Sequence, residues 1–277
     1  MFNIPFKFYR FTLKHRGFPD KHGFLLESSE GRCSEISPLP GRSTESLKDV
    51  YDQLKALQEG WKGPLLPSVE FGLYGLQAPK VSQIRTALLL KGTPEEVLTL
   101  ASHHPSFEIA KLKIGDWSLE ESVGVILTLS KTLRLRLDFN DQWTPSLLKA
   151  LCEKIPSAAV EFLEDPPSPK ASFPVAYDKK IRSHALQVYK PMVFGLPSYG
   201  SSLILSSSFE SSLGLEMIAS LTLSHGVLEH TLGLGTLLYL EDDLVEEPAT
   251  FHNKNMHFPD SYRIKTRKLF SPLNHLF

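Results

Sequence analysis

The residues most able to do chemistry in this sequence are charged side chains set into short apolar runs. Lys111 and Lys113 stand in I-A-K-L-K-I-G, and Arg136 and Asp138 in R-L-R-L-D-F-N. Glu164 and Asp165 close V-E-F-L-E-D-P, Asp178 closes P-V-A-Y-D, and Lys190 closes L-Q-V-Y-K-P. Runs of this length and composition read as strands, in which residues two apart share a face. Each Lys-x-Lys or Arg-x-Asp pair therefore points one way. A charge on the inner face of a closed sheet needs a partner. Three carboxylates, Asp138, Glu164 and Asp178, on three successive strands suit a hard cation such as Mg²⁺, with oxygen ligands and some retained water. Lysines on strands before and after would face each other across that ion. The chemistry this implies is proton transfer at a carbon next to a carboxylate, with the cation neutralising the charge left when the proton departs. A lysine base must be neutral, so its pKa of about 10.4 has to fall by roughly 3 units, about 4 kcal/mol. A second lysine two residues away and a nearby dication act in that direction.

Such residues need a scaffold. From about residue 84, short apolar runs recur at 85–90, 109–114, 133–139, 160–163, 175–177, 186–189, 203–205 and 229–232. Helical segments separate the early ones: Ser118 opens one with Glu120 and Glu121 in its first turn, and Thr144-Pro145 opens another. Strand and helix in alternation, eight times, predict an α/β fold: a modified (β/α)₈ TIM-type barrel over 79–242. The connections after Asp165 and Asp178 are too short for the usual crossover, so helices are expected to be shortened or missing there. That would leave the outer face of strands four to six partly apolar, and we expect cover from the chain's own loops and tail or from a second copy in a homodimer. Residues 1–78 read as an α+β capping domain, with a strand over 2–13, another over 24–27 and a helix over 43–57 capped by Ser43 or Thr44. Residues 243–277 are expected to return to the cap.

Composition narrows the field. Thirty basic against 31 acidic residues leave no basic surplus, which argues against a nucleic-acid partner. Two cysteines 119 residues apart make no metal or redox motif. The N-terminus lacks a continuous apolar stretch, and the longest uncharged run, 191–209, holds six serines, so neither a signal peptide nor a membrane span is expected, and a cytoplasmic location is. His103-His104 reads as a solvated turn and Arg263–Lys268 as a solvated basic face.

The motifs taken in order resemble the enolase superfamily, with a barrel of the muconate-lactonizing type, and within it the o-succinylbenzoate synthases of menaquinone biosynthesis. The likeness spans nearly the whole chain: C-S-E-I-S-P-L-P-G-R-S-T-E-S-L (33–47), P-S-V-E-F-G-L (67–73), A-L-L-L-K-G-T-P-E-E-V-L (87–98), the strand motifs above, and the most distinctive stretch, S-S-S-F-E-S-S-L-G-L (206–215). The resemblance implies a lyase that expels water from a cyclohexadiene carboxylate with Mg²⁺, or Mn²⁺ in its place. Lys113 would be the base and then the acid, Lys190 the cation on the opposite face, and Lys111 a contact to the substrate carboxylate. Asp138, Glu164 and Asp178 would hold the metal, Arg136 would line the pocket, and Ser206, Ser207, nearby backbone N–H groups and Gly233 would hold the succinyl end. Two departures stand out: Lys179 follows the third ligand where the family usually has an acid, and the eighth strand reads G-L-G-T. The alternatives are an N-acylamino acid racemase, a dipeptide epimerase, for which the missing eighth-strand acids count against the reading, or a weakly catalytic relative.

Overall fold

A computed structural model describes residues 5–140, 142–168, 173–178, 186–198, 203–227 and 230–271. The chain begins with an antiparallel meander, β1 (Phe6–His15), β2 (Lys21–Ser28) and β3 (Cys33–Ile36). Phe11, Leu13, Phe24, Leu26 and Ile36 are fully buried. Helix α1 (Leu47–Gln58) starts later than its apolar spacing suggested. Ser46 and Asp49 form a reciprocal capping box, with Ser46 N donating to Asp49 Oδ2 at 2.8 Å. Ser43 is used elsewhere: its hydroxyl accepts from Leu39 N at 2.9 Å and braces the turn before the helix. Helix α2 (Pro67–Gly75) is buried on most sides.

After β4 (Gln83–Arg85) the chain enters a parallel sheet. Its strands, in spatial and chain order, are β5 (Leu88–Leu90), β6 (Ile109–Lys113), β7 (Arg134–Asp138), β8 (Val160–Glu164), β9 (Val175–Tyr177), β10 (Leu186–Tyr189) and β11 (Leu203–Leu205). Helices α3 (Pro94–His103), α4 (Leu119–Leu129) and α5 (Pro145–Lys154) cover β5 to β8. Each has an N-cap supplied by its sequence, Thr93, Ser118 and Thr144. Their outer core includes Leu112, Ile126, Leu137, Leu148 and Leu163, all fully buried; each such leucine contributes roughly 1.5–3 kcal/mol through burial.

Among the described residues the parallel sheet holds seven strands, where eight runs were expected, and Glu229 of the eighth lies outside them. The eighth run reduces to two isolated parallel bridges, Thr86↔Leu232 and Ser206↔Gly233, which join the first and last strands and close the barrel. The first run also splits: Arg85 belongs to β4, which pairs antiparallel with β14 (Asn255–His257), itself paired with β13 (Thr250–His252). Between β8 and β9 the described residues hold no helix, and β10 is followed by a single turn, α6 (Pro191–Phe194).

On strands four to six one aromatic side chain faces inward and not outward. A register shift opposite Leu135/Arg136 turns Phe162 inward, where it packs with Ala176, Val188 and Ile204. Outward residues are Leu163, packed on the helical side with Phe173, the half-buried Val175 and Tyr177, and the buried Gln187 and Tyr189, so this face is partly apolar. Gln187 donates to the Tyr177 carbonyl, and Tyr189 Oη donates to Phe194 O at 3.1 Å.

Helix α7 (Ser212–Ser224) is buried from Ser212 to Thr222, wedged between barrel and β3. Beyond it, β12 (Leu240–Asp242) pairs with the end of β1, and Arg10 and Phe270 exchange two backbone bonds at 3.0 and 2.8 Å. The basic stretch 263–268 is neutralised locally: Lys265 and Lys268 both meet Asp242, at 2.9 and 2.8 Å. No helix among the described residues is long and apolar enough to cross a membrane.

Candidate active site

Sheet register determines which charges meet. Lys113 pairs with Asp138 and Asp138 with Glu164, so the ends of β6, β7 and β8 form one layer facing the barrel interior. Ala110 and Leu112, between the lysines, are fully buried on the helical side. Asp178 follows β9, and Lys190 follows β10 as the residue before α6. These positions are the C-terminal ends of the strands, where barrel sites lie. β6 and β10 stand four places apart in the sheet order, so Lys113 and Lys190 approach one cavity of about 220 Å³ from opposite walls.

The lysines and acids are interleaved. Lys111 Nζ lies 2.6 Å from Glu164 Oε1 and 3.0 Å from Asp138 Oδ2. Lys113 Nζ lies 3.1 Å from the same Asp138 oxygen, and Lys190 Nζ pairs with Asp178 Oδ2 at 2.5 Å. The two strand lysines consequently differ in acidity. Burial alone would lower Lys111, but Asp138, Glu164 and Asp178 outweigh it and hold the ammonium well above the ordinary lysine range. Lys113 is lowered, first by burial and then by the charge of Lys111, against the opposing pull of Asp138. Asp138 is held well below the usual carboxylate range by Lys111 and Lys113 despite its burial. Glu164 is raised, mainly by burial. Asp178 is lowered, because Lys190, Lys111 and Arg42 together outweigh burial.

Among the described residues no three carboxylate, imidazole or thiolate groups converge as a ready cation cage. In this arrangement the Lys111 ammonium lies between Asp138 and Glu164, and Lys190 pairs with Asp178. The donor set nevertheless fits a hard divalent cation in type. Asp178 Oδ1 is buried and accepts no hydrogen bond; Arg42 Nη2 lies 3.1 Å away but donates to the Asp178 carbonyl, at 2.9 Å. Lys179 and Lys180 lie outside the described residues.

Other expected residues divide. Ser206, Ser207 and Gly233 line the cavity. The hydroxyls of both serines donate to Gly233 O, at 3.2 and 3.0 Å. Their backbone donors are already engaged: Ser206 N to Tyr189 O at 2.8 Å, Ser207 N to Gly233 O at 3.0 Å, and Gly233 N to Leu205 O at 2.8 Å. Arg136 does not line the cavity. It lies one layer deeper, 2 % exposed, bound to Glu161 at 2.8 and 3.3 Å and to Thr231 O at 2.7 Å, with Phe162 stacked 5.2 Å away. Its place two residues before Asp138 puts it on the same face but below the rim.

Sequence reasoning missed three groups. Asn140 (φ +48°) turns the chain back beyond β7, donates from its backbone N–H to Asp138 Oδ1 at 3.1 Å, and accepts from Lys113 Nζ at 2.9 Å. An asparagine two residues past a strand-end acid tolerates that left-handed turn and was a readable signal. Phe209, also left-handed at φ +71°, forms a wall packed against Phe18 of the cap, with centroids 4.3 Å apart and ring planes tilted by 51°. Arg42 reaches in from the turn before α1.

No family model matches the chain. An o-succinylbenzoate synthase of Vibrio cholerae serotype O1 is 32% identical, over 81% of this chain and 84% of its own. Among solved structures, the o-succinylbenzoate synthase of Thermosynechococcus elongatus BP-1, complexed with Mg in its active site, superposes with a TM-score of 0.61 at 20% identity, covering 83% of this chain and 92% of its own. Muconate lactonizing enzyme from Pseudomonas putida superposes with a TM-score of 0.69 at 16% identity, covering 96% and 99%. These two likenesses show a shared fold.

Proposed function

The chain belongs to the o-succinylbenzoate synthase family of the enolase superfamily, and from that premise we propose that it dehydrates 2-succinyl-6-hydroxy-2,4-cyclohexadiene-1-carboxylate to o-succinylbenzoate, a step of menaquinone biosynthesis. It is a carbon–oxygen lyase reaction: a proton leaves the carbon bearing the carboxylate, and hydroxide leaves the neighbouring ring carbon as water. The observation that carries the reading is the unequal pair on β6. Lys113, lowered by burial and by Lys111, is the one of the two strand lysines whose environment favours the neutral amine that takes the α-proton. Lys111, fixed as a cation, is suited to the substrate carboxylate and not to accepting a proton. After abstraction, the Lys113 ammonium holds the proton that the departing hydroxide needs. Asn140 Oδ1 and Asp138 Oδ2 fix the Nζ position, at 2.9 and 3.1 Å. Lys190, on the opposite wall, presents positive charge to the other face of the ring. Asp138, Glu164 and Asp178 would hold Mg²⁺, with Mn²⁺ as the substitute, which when bound neutralises the charge developing on the substrate carboxylate. Ser206, Ser207 and Gly233 line the wall next to the succinyl group. Aromatisation makes the elimination strongly downhill, so modest catalytic groups suffice.

The test is an ultraviolet assay of the cyclohexadiene substrate. Aromatic product should form with Mg²⁺, stop with chelator and resume when Mg²⁺ or Mn²⁺ is restored. No product under any of these conditions would refute the assignment.

A further inference from the structure

A substrate of the class proposed above carries two carboxylates, one at the reacting carbon and one at the end of its succinyl tail. The strand lysines are already engaged in the reaction layer: Lys111, Lys113 and Lys190 each pair with a strand-end carboxylate of the protein, and of the three the reading gives only Lys111 to the first substrate carboxylate. The serine wall is neutral, and its donors are spent. The backbone N–H groups of Ser206, Ser207 and Gly233 bond within the chain, and Ser208 N donates to Glu210 Oε2 at 2.6 Å. An anion brought into this cavity without a cation or free donors loses hydration with nothing in return.

Among the described residues lining the cavity, one guanidinium is present, that of Arg42. It comes from the cap, on a turn built to hold it. Gly41 adopts φ +75°, where a side chain would be strained, and the N–H groups of Arg42 and Ser43 both donate to Leu39 O, at 3.0 and 2.8 Å. The guanidinium contacts Asp178 through Nη2 alone, leaving the remaining donors of the fork without a bond to any described residue. With its side chain 28% exposed, it stands at the cavity mouth. A planar fork with free N–H groups on a fixed turn is the geometry that takes a carboxylate in two parallel bonds.

We propose that Arg42 is a specificity-determining residue that binds the second, tail carboxylate of the substrate, so that the cap selects dicarboxylates over monocarboxylates of the same ring. This inference rests on the dehydratase reading. The test is calorimetric titration of o-succinylbenzoate and of benzoate, product with and without the tail, into wild type, Arg42→Met and Arg42→Lys. Arg42→Met should weaken o-succinylbenzoate about tenfold or more and leave benzoate within about twofold, as expected for loss of one charged contact. Arg42→Lys should recover part of the loss, and in turnover KM should rise while kcat stays within about threefold. Equal weakening of both ligands, or an unchanged affinity for o-succinylbenzoate, overturns the role of Arg42 alone. A wild-type protein that binds benzoate but not o-succinylbenzoate overturns the dehydratase reading together with it.

Discussion

Arg136 separates a pocket residue from a structural one, and Arg136→Met tests which it is. The substitution keeps much of the side chain's bulk and removes the guanidinium. Glu161, whose side chain is 14% exposed, then loses both of its bonds, at 2.8 and 3.3 Å, and stands as an unpaired carboxylate inside the barrel. The Thr231 carbonyl loses its 2.7 Å donor beside the bridge that closes the sheet. Removing one partner of a buried pair costs about 3–5 kcal/mol. At roughly 2–4 °C per kcal/mol for a chain of this size, the melting temperature should fall by roughly 6–20 °C. Circular dichroism melts give that number. Turnover assayed at 15–20 °C, where the variant is still folded, should change by less than about threefold, because Arg136 does not line the cavity. Adding Glu161→Leu should recover part of the lost stability, since the double variant buries no unpaired charge. A variant that melts like wild type yet loses turnover would refute the placement and return Arg136 to the pocket.

Three further outcomes follow from the same geometry. Lys113→Ala should lower kcat by about 10²–10⁴, the usual worth of a general base, while the melting temperature stays within a few degrees because Lys111 still neutralises Asp138; near-normal turnover would sink the mechanism. Lys111→Met should move the acid limb of the kcat/KM profile to higher pH, since it removes the positive charge that helps depress Lys113; a shift to lower pH would contradict that account. Glu35, buried and raised to about 7 mainly by desolvation, keeps its proton in the folded chain between about pH 4.5 and 7 while the unfolded chain releases it. Its contribution to stability is therefore largest below that window and fades as pH rises through it, by up to about 3 kcal/mol. Glu35→Gln should flatten this part of the stability–pH curve, and denaturant titrations at pH 5 and 8 that give the same difference from wild type would disprove it.

The chemistry was legible in the sequence where alternation alone decides direction. Lys111 with Lys113, and Arg136 with Asp138, had to share a face because a strand repeats every two residues. Depth within the barrel was not legible, because it depends on register between strands: Asp138 reaches the rim and Arg136 does not. The inward turn of Phe162 was hidden by one extra residue in β8, which inverts the side-chain order beyond it. Arg42 was invisible as a cavity residue because it lies in a different unit from the strands it meets, and no spacing along the chain encodes that contact. The eighth run was read over 229–232; Glu229 lies outside the described residues, and two bridges at Leu232 and Gly233 carry the closure.

The strand that borders β1 has a consequence for how the protein is made. The backbone edge of β1 is covered at Lys14 and His15 by Asp242 and Leu240, residues synthesised more than two hundred positions later. Until they leave the ribosome, the meander of β1, β2 and β3 has an open flank, and the barrel still lacks the bridges at Leu232 and Gly233. Exposed strand edges of this kind are where nascent chains aggregate or recruit chaperones. Cap and barrel are thus completed almost together, within one short interval at the end of synthesis, and a ribosome stalled before residue 232 would display a chain with Lys111, Lys113 and Lys190 already made and neither sheet sealed.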